Sequence, residues 1–173
     1  MSGPLIRPAA PRDVQTIAAL VVASWRAAYR GLVDDRVLDD LSVAERTVRW
    51  RARLGATETS TTVAEIGGAV VGVCSTSAPS PDDDATPGVA ELSVLYVRPD
   101  RWREGIGRAL LRQALDDLST RGWRTVTSWV LAANEPALAF YRDLGFEPDG
   151  AEGTHARSGR AIVRVRISLG VCR

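Results

Sequence analysis

The sequence predicts one α/β (α+β) domain, in which strand-like and helix-like segments alternate along 173 residues. Two β-prone runs meet at Gly67-Gly68, a dipeptide typical of a hairpin, so part of the sheet is antiparallel. A helix-spaced segment separates the strand at 91–97 from the strand at 125–131, and such a crossover makes these two strands parallel. The length suits a single domain over residues 1–173.

Composition excludes several function classes. The chain is 45% hydrophobic and 25% charged, as soluble globular proteins are, and its net charge of +1 argues against a nucleic-acid or membrane-surface binder. Two cysteines, Cys74 and Cys172, and the single histidine, His155, are too few for a metal site, so we expect no metal. No stretch reads as a signal peptide or membrane span, and we expect a cytoplasmic protein.

Periodicity, capping residues and turn residues predict the remaining elements. The predicted helices are Pro11–Arg30, Ser42–Leu54, a helix opening at Gly105, and Asn134–Leu144. The predicted strands are Leu5–Arg7, Thr61–Ile66, Ala69–Ser77, Glu91–Val97, Thr125–Leu131, a strand starting over Phe146–Pro148, and Ala161–Leu169. Two polar segments, Ala78–Gly88 and Asp149–Arg160, read as loops.

Two clusters of charged residues, one basic and one acidic, can be explained as solvent-exposed surface. The arginines of the second helix are expected to form a solvated surface; they are Arg46, Arg49, Arg51 and Arg53. Three consecutive aspartates in the loop at 78–88 either steer a cationic acceptor or keep an exposed loop soluble.

The stretch 91–111, ELSVLYVRPDRWREGIGRALL, carries the first functional signal. Strict alternation predicts that one strand face holds Glu91, Ser93, Leu95 and Val97. Pro99 ends the pairing, a basic loop follows, and Gly105-Ile106-Gly107 opens a helix. Free N–H groups and the helix dipole favour an anion there, so a diphosphate fits this loop.

The second signal is the stretch 134–146, NEPALAFYRDLGF. Asn134 is suited to cap a helix, and Gly145 to end it. Tyr141 stands seven residues after Asn134, close to two helical turns, so both lie on one side of the helix.

Together these two stretches resemble the GNAT superfamily of acetyl-CoA-dependent N-acetyltransferases, in the order V-x-P, G-x-G, then N-x-x-A-x-x-x-Y-x-x-x-G-F. The chain lacks the third glycine of a dinucleotide-binding fingerprint, since Leu110 stands there. The resemblance implies a mixed, mostly antiparallel sheet with one splayed parallel strand pair and helices on both faces. It also implies direct acetyl transfer from acetyl-CoA to a primary amine within a ternary complex.

The resemblance also implies a cofactor site. Backbone groups of Leu95, Tyr96 and Val97 would hold the pantetheine arm and the thioester carbonyl. Asn134 would touch the arm, or would serve only as a helix cap. The diphosphate would lie on the N–H groups of Arg103, Glu104, Gly105, Ile106, Gly107 and Arg108. The chain departs from the family at Trp102, where Gln or Arg is usual, and Glu104 adds a negative charge.

Resemblance implies the chemical roles as well. Tyr141 would contact the cofactor and protonate the departing thiolate, and Glu91 would accept the amine proton through water. For Glu91 a structural salt bridge is the alternative, and a water chain could replace a dedicated base. Ribosomal-protein alanine acetyltransferases place their base where this chain has Trp129, which cannot act as one. Trp25 and Tyr29 would line the acceptor site, with core packing the alternative for Trp25.

The acceptor stays open at this point. A small-molecule amine is the first hypothesis, and a protein N-terminus or lysine is the second. An acyl-CoA-binding regulatory module without catalysis is a third hypothesis, of a different class. A homodimer is compatible with all three.

Overall fold

A computed structural model describes residues 3–170, so Cys172, one of the two cysteines, lies outside the described residues. Seven strands form one sheet in the order β1-β2-β3-β4-β5-β7-β6. The strands are β1 Leu5–Pro8, β2 Thr59–Ile66, β3 Ala69–Ser77, β4 Val89–Val97, β5 Thr125–Leu131, β6 Glu147–Thr154 and β7 Ala161–Ser168. The helices are α1 Val14–Tyr29, α2 Asp35–Asp39, α3 Val43–Gly55, α4 Ile106–Thr120 and α5 Glu135–Asp143. None of them is long and apolar enough to cross a bilayer.

The pair β4–β5 is parallel, and every other neighbouring pair is antiparallel. Its pairing covers three residues on each strand and ends at Glu91 and Thr127. Both strands continue, to Val97 and Leu131, without pairing to each other. The sheet therefore opens into a V-shaped gap between β4 and β5, and the predicted splayed parallel pair is confirmed.

The helices cover both faces of the sheet, as predicted. Helices α4 and α5 share one hydrophobic core with the sheet, around Leu110, Leu111 and Phe146. Helices α1 and α3 share a second core on the opposite face, around Ile17 and Trp50. We call these the α4–α5 face and the α1–α3 face.

A bulge at Ser93 changes which residues of β4 share a face. Ser75 pairs with Val94 and Thr76 with Leu92, so Ser93 is the extra residue. Leu95 and Val97 consequently pack on the α4–α5 face, while Val94 and Tyr96 pack on the other. The prediction that Glu91 shares a face with Leu95 and Val97 was wrong, because strict alternation allows no extra residue.

Two short elements differ from the sequence prediction. The segment predicted as a loop from Asp149 is strand as far as Thr154, since pairing with β7 compensates for its polar, Gly-rich composition. Helix α2 was not predicted, because a five-residue polar segment has little periodicity. Its anchor is the fully buried Leu38, and Arg26 binds three carbonyls at its C-terminal end.

The aspartate loop is attached to the sheet by one arginine. The Arg164 guanidinium donates to the carboxylates of Asp82, Asp84 and Asp149, at 2.6–3.1 Å. It also lies 5.4 Å from the ring centroid of Trp129. Two of the three loop carboxylates thus pair with a side chain of the sheet, although one guanidinium balances only one of their charges.

Helix α4 packs tightly on the sheet over Gly72 of β3. A Cβ at this position would lie 2.8 Å from Leu110 Cδ1 and 3.2 Å from Ile106 Cγ2. Both side chains are fully buried, so they have little room to move away. The missing side chain therefore sets the height of the first turns of α4 above the sheet.

We predict that Gly72→Ala lowers the free energy of unfolding by about 1–3 kcal/mol, because it overpacks a tight contact. Urea unfolding followed by circular dichroism measures the change. Gly55→Ala is the matched control, since Gly55 ends α3 with no atom within 4 Å of its added Cβ. Equal stability of the two variants would contradict a tight α4–sheet contact.

Candidate active site

The gap exposes backbone groups on one edge of β4. Arg98 N donates to Val71 O of β3, and strand backbone groups alternate between edges. The N–H and C=O groups of Leu95 and Val97 therefore face the gap, toward β5. The backbone of Tyr96 faces β3 instead, which corrects the prediction that it contacts the pantetheine arm; only its side chain is left to serve the site.

One of these groups is already bonded inside the protein. The Val97 carbonyl accepts from Trp102 Nε1 at 2.7 Å and from Ser24 Oγ at 3.0 Å. Trp102, the departure from the family pattern, thus spans from the basic loop back to β4, with 44% of its surface exposed. Within residues 3–170, the groups along the gap without a hydrogen-bond partner are the N–H and C=O of Leu95 and the N–H of Val97.

The loop between β4 and α4 presents a row of free amides. None of the N–H groups from residues 103 to 108 donates to any acceptor in residues 3–170. Arg103 and Gly105 adopt left-handed conformations, with φ of 65° and 80°, which turn successive amides toward one side. This geometry is an anion cradle at a helix N-terminus, as a diphosphate requires.

The negative charge of Glu104 is partly balanced within the same loop, because its carboxylate forms a salt bridge with Arg101 at 3.2 Å. The position of Gly107 is not crowded by the protein, because an added Cβ would lie at an ordinary contact distance of 3.6 Å from Phe140 and from Val97. The backbone N–H groups of residues 103–108 can therefore bind an anion without help from a particular side chain.

Tyr141 lies beneath the gap, on the α4–α5 face. Its ring packs edge-on against Phe140 and Phe146, with centroids 5.5 and 5.2 Å away. Burial raises the pKa of Tyr141 well above the usual range, and Ser128 offsets part of that shift. Ser128 Oγ donates to Leu92 O, just where β4 and β5 part. The Tyr141 hydroxyl is therefore a protonated group at the base of the gap.

All three tyrosines of the chain meet around this gap. Tyr29 and Tyr96 lie on the α1–α3 face and interact with each other. Tyr141 approaches from the opposite face, where it raises the pKa of Tyr96, and Tyr29 in turn raises the pKa of Tyr141. Burial raises the pKa of Tyr96 well above its usual range. Trp25 packs edge-on against Tyr29, at 4.8 Å between centroids, and is itself buried.

Glu91 lies lower on β4, about 16 Å from Tyr96 at the usual strand rise. It is half-buried on the α1–α3 face, and it forms no salt bridge with any described residue. Its carboxylate accepts from Ser93 Oγ at 3.2 Å. Burial, with the Asp82 carboxylate second, raises the pKa of Glu91, and Ser93 and Arg53 oppose the rise.

Asn134 and Trp129 occupy structural positions. Asn134 Oδ1 accepts from Ala137 N at 3.2 Å, so the side chain caps α5. Trp129 Nε1 donates to the Asp82 carboxylate at 3.0 Å, which ties β5 to the aspartate loop. The indole N–H of Trp129 is thus committed, whereas the Nδ2 donors of Asn134 have no partner within residues 3–170.

The sequence reasoning missed a basic cluster on the α1–α3 face. Arg46 and Arg53 are not on a solvated helix surface, although Arg49 and Arg51 are. Arg53 Nε donates to Ser75 Oγ at 2.8 Å, and the Arg46 guanidinium lies over the Trp25 ring. The spacing along α3 could have separated these arginines, because Arg46 and Arg53 are seven residues apart and therefore lie on the same face of the helix.

Comparison with known proteins identifies the family. The model of the acetyltransferase (GNAT) family matches residues 22–146. The chain belongs to the GNAT family of acetyltransferases. Family membership makes it an acyltransferase with acetyl-CoA as co-substrate, in agreement with both motifs.

Three relatives illustrate the range of this acetyltransferase family. The uncharacterized N-acetyltransferase YuaI of Bacillus subtilis is 28% identical over 137 residues, which cover 79% of this chain and 76% of that protein. The ribosomal protein bS18-alanine N-acetyltransferase of Escherichia coli is 46% identical over 57 residues, 33% of this chain and 38% of that one. The PaiA N-acetyltransferase of Thermoplasma acidophilum, solved with coenzyme A, superposes with a TM-score of 0.75 at 20% identity, covering 95% and 98% of the two chains.

For Tyr141 we predict that Tyr141→Phe lowers kcat of this acetyltransferase by about 10- to 1,000-fold, while acetyl-CoA affinity changes little. The substitution keeps the buried ring and removes the only proton the side chain can give. Steady-state kinetics and acetyl-CoA titration measure the two effects. Unchanged turnover would make Tyr141 a packing residue and leave the acid to solvent.

For Glu91 we predict that Glu91→Gln slows turnover most near neutral pH and less as the pH rises toward the pKa of the amine, about 10. We also expect it to stabilise the fold. Because folding raises the pKa of Glu91, the wild type loses stability as the pH rises through that raised value, whereas Gln does not titrate. Rate profiles and melting temperatures against pH measure both effects.

Glu152→Gln, on the exposed part of β6, is the matched control for this charge removal. A rate loss at Glu91 that does not vary with pH would point to a structural role for the carboxylate.

Proposed function

We propose that the chain is a single N-acetyltransferase domain over residues 1–173 that acetylates a primary amine of a small molecule. One observation carries the proposal: the gap between β4 and β5 ends beside six free amides of the loop 103–108. A thioester arm that pairs like a strand fits the gap edge of β4. Its diphosphate fits the amide cradle at the start of α4.

In this proposal the pantetheine arm pairs with the free groups of Leu95 and with Val97 N–H. The thioester then lies near the base of the gap, between the two faces of the sheet. At the outer end of the arm's path the Val97 carbonyl is already occupied, because the Trp102 indole donates to it. Asn134 adds a contact to the arm only if it can do so while capping α5.

The proposed transfer is direct. The neutral amine nitrogen attacks the thioester carbonyl carbon, and a C–N bond forms as the carbonyl becomes an oxyanion. The C–S bond then breaks as the carbonyl re-forms, and Tyr141 O–H gives its proton to the thiolate. The amine loses a proton to Glu91 through water, because Glu91 lies on the α1–α3 face, from which we place the acceptor.

Acetylation of a protein N-terminus is the second candidate, and the match to the ribosomal-protein alanine acetyltransferase favours it. Two contacts oppose it. Trp129 stands at the position of that enzyme's base and is bound to Asp82. The hairpin between β6 and β7 also brings the His155 ring to 5.3 Å from the Trp25 ring, centroid to centroid. This contact leaves less room for a polypeptide on the side of the sheet where we place the acceptor.

Donor binding is the first test. Acetyl-CoA at about 100-fold over its Kd should raise the melting temperature by about 5–10 °C, since it binds only the folded state. Screens of small amines and of N-terminal peptides for CoA release then separate the two acceptors. No thermal shift at millimolar acetyl-CoA would overturn the donor site, and a shift without turnover by any amine would indicate a binding module.

A further inference from the structure

The Arg46 guanidinium on the α1–α3 face has no anionic partner among the described residues. Arg46 Nε is buried, and no described residue accepts a hydrogen bond from it. No carboxylate in residues 3–170 lies within salt-bridge distance of this arginine either. Its carbon Cζ lies 5.3 Å from the ring centroid of Trp25, so the side chain is held in place by stacking. Burying an unpaired charge is costly, and an anion from outside the chain would remove that cost.

The surroundings of Arg46 are basic. Arg157, in the hairpin between β6 and β7, and Arg49, further along α3, both disfavour its charge, and burial is the largest cause of its lowered pKa. The acidic group facing it is Glu45, which is 61% exposed and lies 3.8 Å from Arg157. This single exposed carboxylate does not balance the charges of Arg46, Arg49 and Arg157.

His155 adds a third donor to the same place. Its Nδ1 accepts from Ser158 N at 3.2 Å, which puts the proton of the neutral ring on Nε2. Burial and the two neighbouring arginines lower the pKa of His155, so the neutral form prevails near pH 7. Arg46, Arg157 and His155 therefore present N–H donors around Trp25.

The cluster lies on the acceptor side of the gap. Trp25 packs against Tyr29 and His155, at 4.8 and 5.3 Å between centroids. Tyr96 follows Leu95, whose backbone faces the gap, and its side chain interacts with Trp25 and Tyr29. Aromatic contacts thus connect the basic cluster to the position of the thioester.

We propose that the acceptor amine carries a carboxylate, as an amino acid does, and that Arg46 binds this carboxylate with Arg157 and His155 as further donors. The inference rests on the proposed acetyltransferase function and deepens it by naming the substrate class. An Arg–carboxylate pair at this place would orient the amine toward the gap. The aromatic walls would pack on the body of the acceptor.

The test uses matched acceptor pairs: glycine, β-alanine, γ-aminobutyrate and the common amino acids, each beside its carboxamide. With the intact protein and acetyl-CoA, we expect at least one acid to exceed its amide in kcat/KM by about tenfold or more. Arg46→Gln should remove this preference by raising KM for the acid about 10- to 100-fold, while turnover of the amide and KM for acetyl-CoA stay unchanged.

Arg51→Gln is the matched control, because Arg51 is exposed on the same helix, and it should keep the preference. If no acid exceeds its amide in any pair, the carboxylate site is overturned and the acetyltransferase proposal stays intact. An Arg46→Gln variant that weakens acid and amide equally would make Arg46 a packing residue and would also overturn the site. Absence of CoA release with every amine would overturn the proposed function itself.

Discussion

The early end of pairing between β4 and β5 is the constraint on which the site depends. Parallel strands need a crossover, and here α4 supplies it, so the strand that diverges is followed directly by the helix whose N-terminus presents free amides. Had the pairing continued beyond Glu91, the backbone of Leu95 would be bonded to β5 and unavailable to a ligand. One interrupted ladder thus creates the gap, its free edge and its neighbouring anion cradle.

Tight packing keeps these parts in register. Helix α4 rests on β3 at Gly72, and Ser24 of α1 bonds the last carbonyl of β4 from the other face. Ser128 bonds Leu92 O at the point of divergence, which fixes where the gap begins. The geometry of the site is therefore determined by the α1–α3 and α4–α5 faces together.

Much of this could be predicted from sequence, because the two motifs are local. The strand, the glycine loop and the helix cap at Asn134 depend on neighbouring residues, and their positions were right. The bulge at Ser93 and the strand over 149–154 depend on pairing partners that periodicity does not reveal. The burial of Arg46 was missed for the same reason. Helical periodicity tells which residues share a face of α3, but it does not tell which neighbouring element covers that face.

The separation of the two faces has a consequence for how such an enzyme can diversify. The basic cluster and its aromatic neighbours Trp25 and Tyr29 come from α1, α3 and the hairpin between β6 and β7, and none of these segments contributes an amide to the loop 103–108. In the proposed arrangement, mutations in these segments change the choice of acceptor and leave the amides that hold the donor in place. A duplicated gene could therefore explore new substrates one side chain at a time without first losing its cofactor.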